Sequence, residues 1–371
     1  MKNRKGRRSS SKSQSGFPLG RPGIVLLAVF AISLFAFIAI QLRSSSKGAA
    51  TSRSDASLYD SRNLIDSRES PYSNVYVYKT GPNVSMTFGL NKKIYTESIY
   101  NSTDEMELPV PYTQYMTAAF IYPKNINSIL EIGLGGGRTA WYLHRVFPNA
   151  QITTVELDPA VIELSKKYFG IKEEPNFKVV NADGRLFLAD SKEKYDVILV
   201  DAYRGPFVPF HLLTKEFYQL VKAHLALGGV VAQNIESSTM LYDSAVKTIN
   251  EVFPQVELYE TGDGNFLRGQ EENSNIVTVA YDGPHLATSD ITRLAEKQQS
   301  IYKPRYELTK MLDHRYTLRP VEVNGRQFLD VFRKDEVATG GISEDSKVMT
   351  DDFAPVESLK AIERHNQTWK Q

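Results

Sequence analysis

The chain has 371 residues, 42% hydrophobic and 23% charged, with a formal net charge of +1 and no cysteine. That length accommodates one large α/β domain with smaller attachments. The near-neutral balance excludes a protein that holds a polyanion by bulk charge, so no nucleic-acid partner is expected, and the lack of cysteine excludes disulfides, thiolate catalysis and Cys-ligated metal sites. Residues 1–23 form a basic tail, with Lys2, Arg4, Lys5, Arg7, Arg8, Lys12 and Arg21 and no acid before residue 22. Residues 24–42, "IVLLAVFAISLFAFIAIQL", contain only Ser33 and Gln41 as polar groups. At about 1.5 Å per residue such a run nearly crosses a hydrocarbon layer of about 30 Å, and it is read as an uncleaved transmembrane helix in preference to a signal peptide, whose apolar region is shorter. The basic flank predicts a cytoplasmic N-terminus, hence a single-pass membrane protein with its body on the extracytoplasmic side.

Residues 43–70 are rich in Ser and charge and are read as a disordered linker. From 71 to 110 short alternating runs, "NVYVYKT", "NVSMTFG" and "KIYTESI", are divided by Gly-Pro and Asn-Lys turn signals and predict a small antiparallel unit of about three strands. The stretch 111–122, opened by Pro111, predicts a helix. Strands are then expected over 128–132, 151–156, 177–181, 195–201, 229–234, 256–259 and 275–280, with helices between them such as 160–169 and 214–225. Apolar strands alternating with helical patterns mean parallel βαβ units, so residues 111–283 form the main domain. Residues 284–371 are a C-terminal α/β extension with a strand-like "RQFLDVFR" and the segment "MTDDFAPVE".

Four positions fall at the carboxyl ends of successive predicted strands. The loop "EIGLGGGR" bares backbone at Gly133, Gly135, Gly136 and Gly137 and exposes helix N-terminal amides, with Arg138 at its mouth. Glu156 ends the next strand, where an acid can take both hydroxyls of a ribose. Asp183, in "NADGRLFL", can accept from an exocyclic amine or simply cap the following helix. Asp201 closes "YDVILVD" and suits a general base or an amine ligand. Together they predict a nucleoside site, with S-adenosylmethionine or a relative favoured over NAD. Tyr203, Phe207 and Phe210 are candidates to wall an acceptor pocket. His144 and His211 stand alone and are read as packed or surface residues, and no metal site is expected.

The run from about residue 72 to residue 280 resembles the spermidine synthase (polyamine aminopropyltransferase) family, in particular its bacterial membrane-associated branch. The resemblance rests on "ILEIGLGGG", "TTVELDPAVIELSKKYFG", "NADGRLFL", "YDVILVDAY" and "FHLLTKEFYQLVKAHLALGGVVAQN", and "TDDFAPVE" looks like that branch's tail motif. It implies a Rossmann-like, class I methyltransferase-type α/β sheet behind a small N-terminal antiparallel β unit. It further implies aminopropyl transfer from decarboxylated S-adenosylmethionine to a polyamine such as putrescine. Glu156 would sit on the ribose, Asp183 and Gly184 beside the adenine, and Asp201 would be the base. Glu97, Tyr112, Tyr203 and Arg204 are assigned to the acceptor pocket; a small-molecule amine is the expected partner, and a homodimer is allowed. Two arginines depart from the family pattern. Arg138 stands where an aspartate usually follows the glycines, Arg204 where a second aspartate usually grips the acceptor, and the usual Gln-Ser is Glu97-Ser98. A guanidinium repels a diamine and attracts a carboxylate. Intact S-adenosylmethionine as donor, for methyl or aminocarboxypropyl transfer, and a non-catalytic ligand-binding protein therefore remain alternatives.

Overall fold

The computed structural model describes residues 61–90, 93–204, 207–237, 239, 241–261, 275–333, 336–337 and 341–353. The basic tail and the apolar segment at 24–42 lie outside the described residues. Four short strands come first, β1 (Leu64–Glu69), β2 (Asn74–Thr80), β3 (Asn83–Leu90) and β4 (Lys93–Asn101), and pair antiparallel in chain order. The sequence reading put β1 inside the disordered linker. Its side chains are mostly exposed, so no apolar alternation marks it, yet Asp66 to Glu69 pair with Asn74 to Val77 along β2. Val75, Val77, Val84 and Met86 are buried and turn this small sheet onto the main core.

The expected helix at 111–122 divides into α1 (Pro111–Met116) and a 3-10 turn over Thr117–Ile121. Then follow β5 (Ser128–Ile132), α2 (Arg138–Val146), β6 (Gln151–Glu156), α3 (Pro159–Tyr168), β7 (Phe177–Asn181), α4 (Gly184–Asp190), β8 (Tyr195–Val200), α5 (Lys215–His224) and β9 (Leu225–Glu236). These strands run parallel in the order β7-β6-β5-β8-β9. After α6 (Tyr242–Val252) come β10 (Gln255–Glu260) and β11 (Asn275–Tyr281), and β11 inserts antiparallel between β9 and β10. The sheet is therefore mixed.

The C-terminal extension is not a separate layer. After α7 (Thr288–Tyr302) and α8 (Leu308–Met311), β12 (Arg315–Val323) pairs with β10, and β13 (Arg326–Arg333) and β14 (Glu336–Val337) carry the same sheet to ten strands. A fully buried ion pair, Arg315 to Glu257 at 2.8 Å, fastens β12 to β10. Residues alternate between the two faces as the pleat requires. Ile129, Ile152, Val197, Val277 and Val279 meet α2, α3 and the N-terminal sheet, while Leu130, Ile198, Val200, Val231 and Leu258 meet α5 and α6.

The expected single-pass topology with an extracytoplasmic body is corrected by this structure. Among the described residues no helix is long and apolar enough to cross a membrane. The 15 residues of α7, with Ile291 and Ala295 buried on one side and acids and lysine among the rest, make an amphipathic surface helix.

Candidate active site

Order reverses at β5, whose neighbours β6 and β8 are entered in opposite directions, and a crevice opens at the carboxyl edge of such a sheet. Here it is a cavity of about 400 Å³. Gly133, Gly135, Arg138, Glu156, Asp183, Gly184, Asp201, Tyr112, Tyr203 and Arg204 all border it. Gly136 and Gly137 are buried behind that wall, and the Glu97 side chain lies outside the described residues.

Two glycines are required by close approach. Gly133 has φ +98°, and a Cβ there would stand 2.3 Å from the carbonyl oxygen of Asp201. A Cβ on Gly184 would stand 2.3 Å from Cγ2 of Ile132. Any side chain would push the loops after β5, β7 and β8 apart. The Glu156 carboxylate locks the glycine loop: one oxygen accepts the Leu134 N–H at 2.9 Å and the Gly135 N–H at 3.4 Å, the other the Asp158 N–H at 2.9 Å. Burial raises its pKa while these amides oppose the rise. Gly136 donates its N–H to Ser98 Oγ on β4 at 2.8 Å, so the N-terminal sheet supports the loop from outside.

Asp183 does cap α4, accepting the N–H groups of Arg185 and Leu186 through one oxygen. Its other oxygen faces His211 Nε2 at 3.3 Å. Sequence reasoning passed over His211 because its partner lies 28 positions away. Asp201 continues the ladder beyond β8, its N–H bonding the Ile132 carbonyl at 2.8 Å. Its carboxylate reaches the cavity but sits deep; desolvation pushes its pKa up to about 6, against hydrogen bonds from Asn234 and Tyr112. Asn234 donates to Asp201 Oδ1 at 3.1 Å and accepts from Asn275 at 2.9 Å, so β9 and β11 aim the acid. Asn234 was missed as well; the polar end of "GGVVAQN" was its signal.

The arginines behave differently from each other. Arg138 is buried, donates to the backbone carbonyls of Phe169 and Glu105, and lies over the Tyr100 ring at 4.3 Å. Burial brings its pKa down to about 10. It joins α2 to the β4 side of the molecule, and its guanidinium is largely engaged there. Arg204 is exposed at the rim, and among the described residues its side chain has no ion-pair or hydrogen-bond partner.

A β7-β6-β5-β8-β9-β11-β10 order with β11 reversed, a glycine loop after the first strand of the main sheet and acids at the ends of the next three define a class I methyltransferase-like α/β protein. Residues 112–262 match the spermine/spermidine synthase domain. The chain is 27% identical over 303 residues to a polyamine aminopropyltransferase of Vibrio vulnificus, covering 80% of this chain and 91% of that one. It is 32% identical over 249 residues to a probable polyamine aminopropyl transferase of Bifidobacterium longum, covering 67% of this chain and about half, 52%, of that relative. The crystal structure of a probable spermidine synthase from Corynebacterium glutamicum superposes with a TM-score of 0.53 at 22% identity, over 62% of this chain and 86% of that one, and shares the fold. The chain therefore carries a spermine/spermidine synthase domain over residues 112–262 and is similar to polyamine aminopropyltransferases, which are transferases.

Proposed function

We propose that this protein transfers an aminopropyl group from decarboxylated S-adenosylmethionine to the nitrogen of a small polyamine such as putrescine. The observation that carries this reading is the Asp201 carboxylate, held by Asn234 and Tyr112 in the wall of the cavity with its pKa up at about 6. An amine that is protonated in water must lose a proton to attack, and a base whose pKa lies near the operating pH takes it efficiently. The nitrogen then forms a bond to the propyl carbon next to sulfur, the carbon–sulfur bond breaks, and its electron pair stays on sulfur as neutral methylthioadenosine leaves. The proton goes to Asp201. Because the sulfonium is already a good leaving group, alignment is the protein's main contribution. The glycine loop and Gly184 give a backbone cradle that a Cβ would fill, Glu156 would hold the ribose hydroxyls, and Asp183 would lie beside the base.

Intact S-adenosylmethionine is not favoured, since the Arg138 guanidinium that would read its carboxylate is bonded to Phe169 and Glu105. Arg204 supports a second reading, an acceptor whose far end is anionic. The test is to incubate the purified chain with decarboxylated S-adenosylmethionine and either putrescine or 4-aminobutyrate, and to measure methylthioadenosine and the aminopropylated product by mass spectrometry. Product from putrescine, lost in Asp201→Asn, supports the proposal; product only from 4-aminobutyrate moves the reading to the second acceptor. Product from neither donor–acceptor pair overturns the function.

A further inference from the structure

The described end of the chain, residues 341–353, returns to the rim of the cavity. Met349 is fully buried among the residues of α5 and α6, its N–H donates to Thr248 Oγ1 at 2.9 Å, and its carbonyl accepts the Lys215 N–H at 2.8 Å. Ser346 is held by Lys247 Nζ at 2.9 Å. Two residues after Met349, Asp351 faces Arg185 with both oxygens, one of them at 2.8 Å, and accepts the Thr214 hydroxyl at 2.7 Å. Arg185 uses the same Nη1 to hold the His211 carbonyl at 2.9 Å. His211 lies in the 3-10 turn Phe210–Leu212, and Phe210, His211 and Leu212 all line the cavity facing the Asp183 side. One wall of the site is thus tied to residue 351 through a fork of two charge-assisted hydrogen bonds, the geometry that best fixes direction as well as distance.

We propose that Asp351 is a positioning residue for the nucleoside half of the cavity: through Arg185 and Thr214 it fixes the Phe210–Leu212 turn against Asp183. This rests on the reading of that half as the donor site. Because Asp351 is about 44% exposed, a fold-stabilising role alone predicts little effect from its loss, whereas a positioning role predicts loss of nucleoside affinity.

The experiment uses the full chain and 5′-methylthioadenosine as probe, titrated calorimetrically into wild type, Asp351→Asn, Asp351→Glu, Arg185→Gln and the Asp351→Asn/Arg185→Gln double variant, with melting temperatures alongside. Expected are a Kd raised about tenfold in Asp351→Asn, partial recovery in Asp351→Glu, and a double variant no worse than the weaker single one, with melting nearly unchanged. Equal affinities for all five proteins, or losses that add in the double variant, would overturn the proposal. Methylthioadenosine binding that follows this pattern in a protein without transfer activity would sink the proposed reaction and leave the role of Asp351 standing.

Discussion

As the proposed base, Asp201 would serve the reaction in its ionised form, the form that the fold least favours. Its usual carboxyl pKa near 3.8 is raised to about 6, so the folded chain holds that proton more tightly than the unfolded chain does. The favourable contribution to stability is present below about pH 4 and is lost as the pH climbs through about 6. Asp201→Asn, which carries no charge, is therefore expected to melt at the same temperature as wild type near pH 4 and several degrees higher above pH 7, while kcat falls by at least about 100-fold. Wild-type kcat/KM should show an acid limb with its midpoint near pH 6, absent from the residual rate of the variant; differential scanning fluorimetry and initial rates across pH check both. The chain alone singled out Glu156, Asp183 and Asp201 because each falls at or just past the carboxyl end of an expected strand, Asp201 directly after four apolar residues, and all three border the cavity. Arg138 was not. The Phe169 and Glu105 carbonyls that engage it lie 31 and 33 positions away, and no local pattern announces a backbone acceptor. Asn234 was missed for a related reason: its only signal is that it breaks the apolar run of β9, and its partners Asp201 and Asn275 lie 33 and 41 positions away.

Among the elements, α4 shows how tightly a helix start can be seated. Asp183 caps it, Gly184 opens it, and Ile132 at the end of β5 fills the space where a side chain would go. Gly184→Ala is expected to displace the first turn of α4, costing about 1–3 kcal/mol in stability, and to weaken methylthioadenosine binding by more than tenfold while circular dichroism stays unchanged. Calorimetry of the purified variant decides this, and unchanged affinity would remove Gly184 from the nucleoside wall. The strands of the main sheet were readable because they are apolar on both faces and bounded by turn signals. β1 was not readable, because an edge strand with polar, exposed side chains looks like linker until its partner is known. The stretch 111–122 has helical spacing throughout, but it changes to 3-10 winding after Met116, where five consecutive residues are buried.

For the molecule as a whole, the described unit beginning at Ser61 has one main sheet, and the C-terminal strands are fastened to it by a buried charge. Arg315 bonds Glu257, Thr317 and Thr288, and the hydroxyls of Tyr122 and Tyr259, which interact electrostatically with Arg315, pair with each other at 2.6 Å. Arg315→Met would leave Glu257 buried without its charged partner, holding among the described residues only the Thr317 and Tyr281 hydroxyls, and is expected to cost roughly 3–5 kcal/mol, with the double change Arg315→Met/Glu257→Gln recovering part of it. Denaturant titration measures both, and an additive double variant would argue against coupling. The same sheet separates descent from folding. Residues 112–262, which match the spermine/spermidine synthase domain, include β10 but neither of its neighbours, since β11 and β12 lie beyond them, and they omit Ser98, which holds the glycine loop. Expressed alone, that stretch would carry Glu156, Asp183 and Asp201 and still lack the strands and the outer support that hold those acids in place.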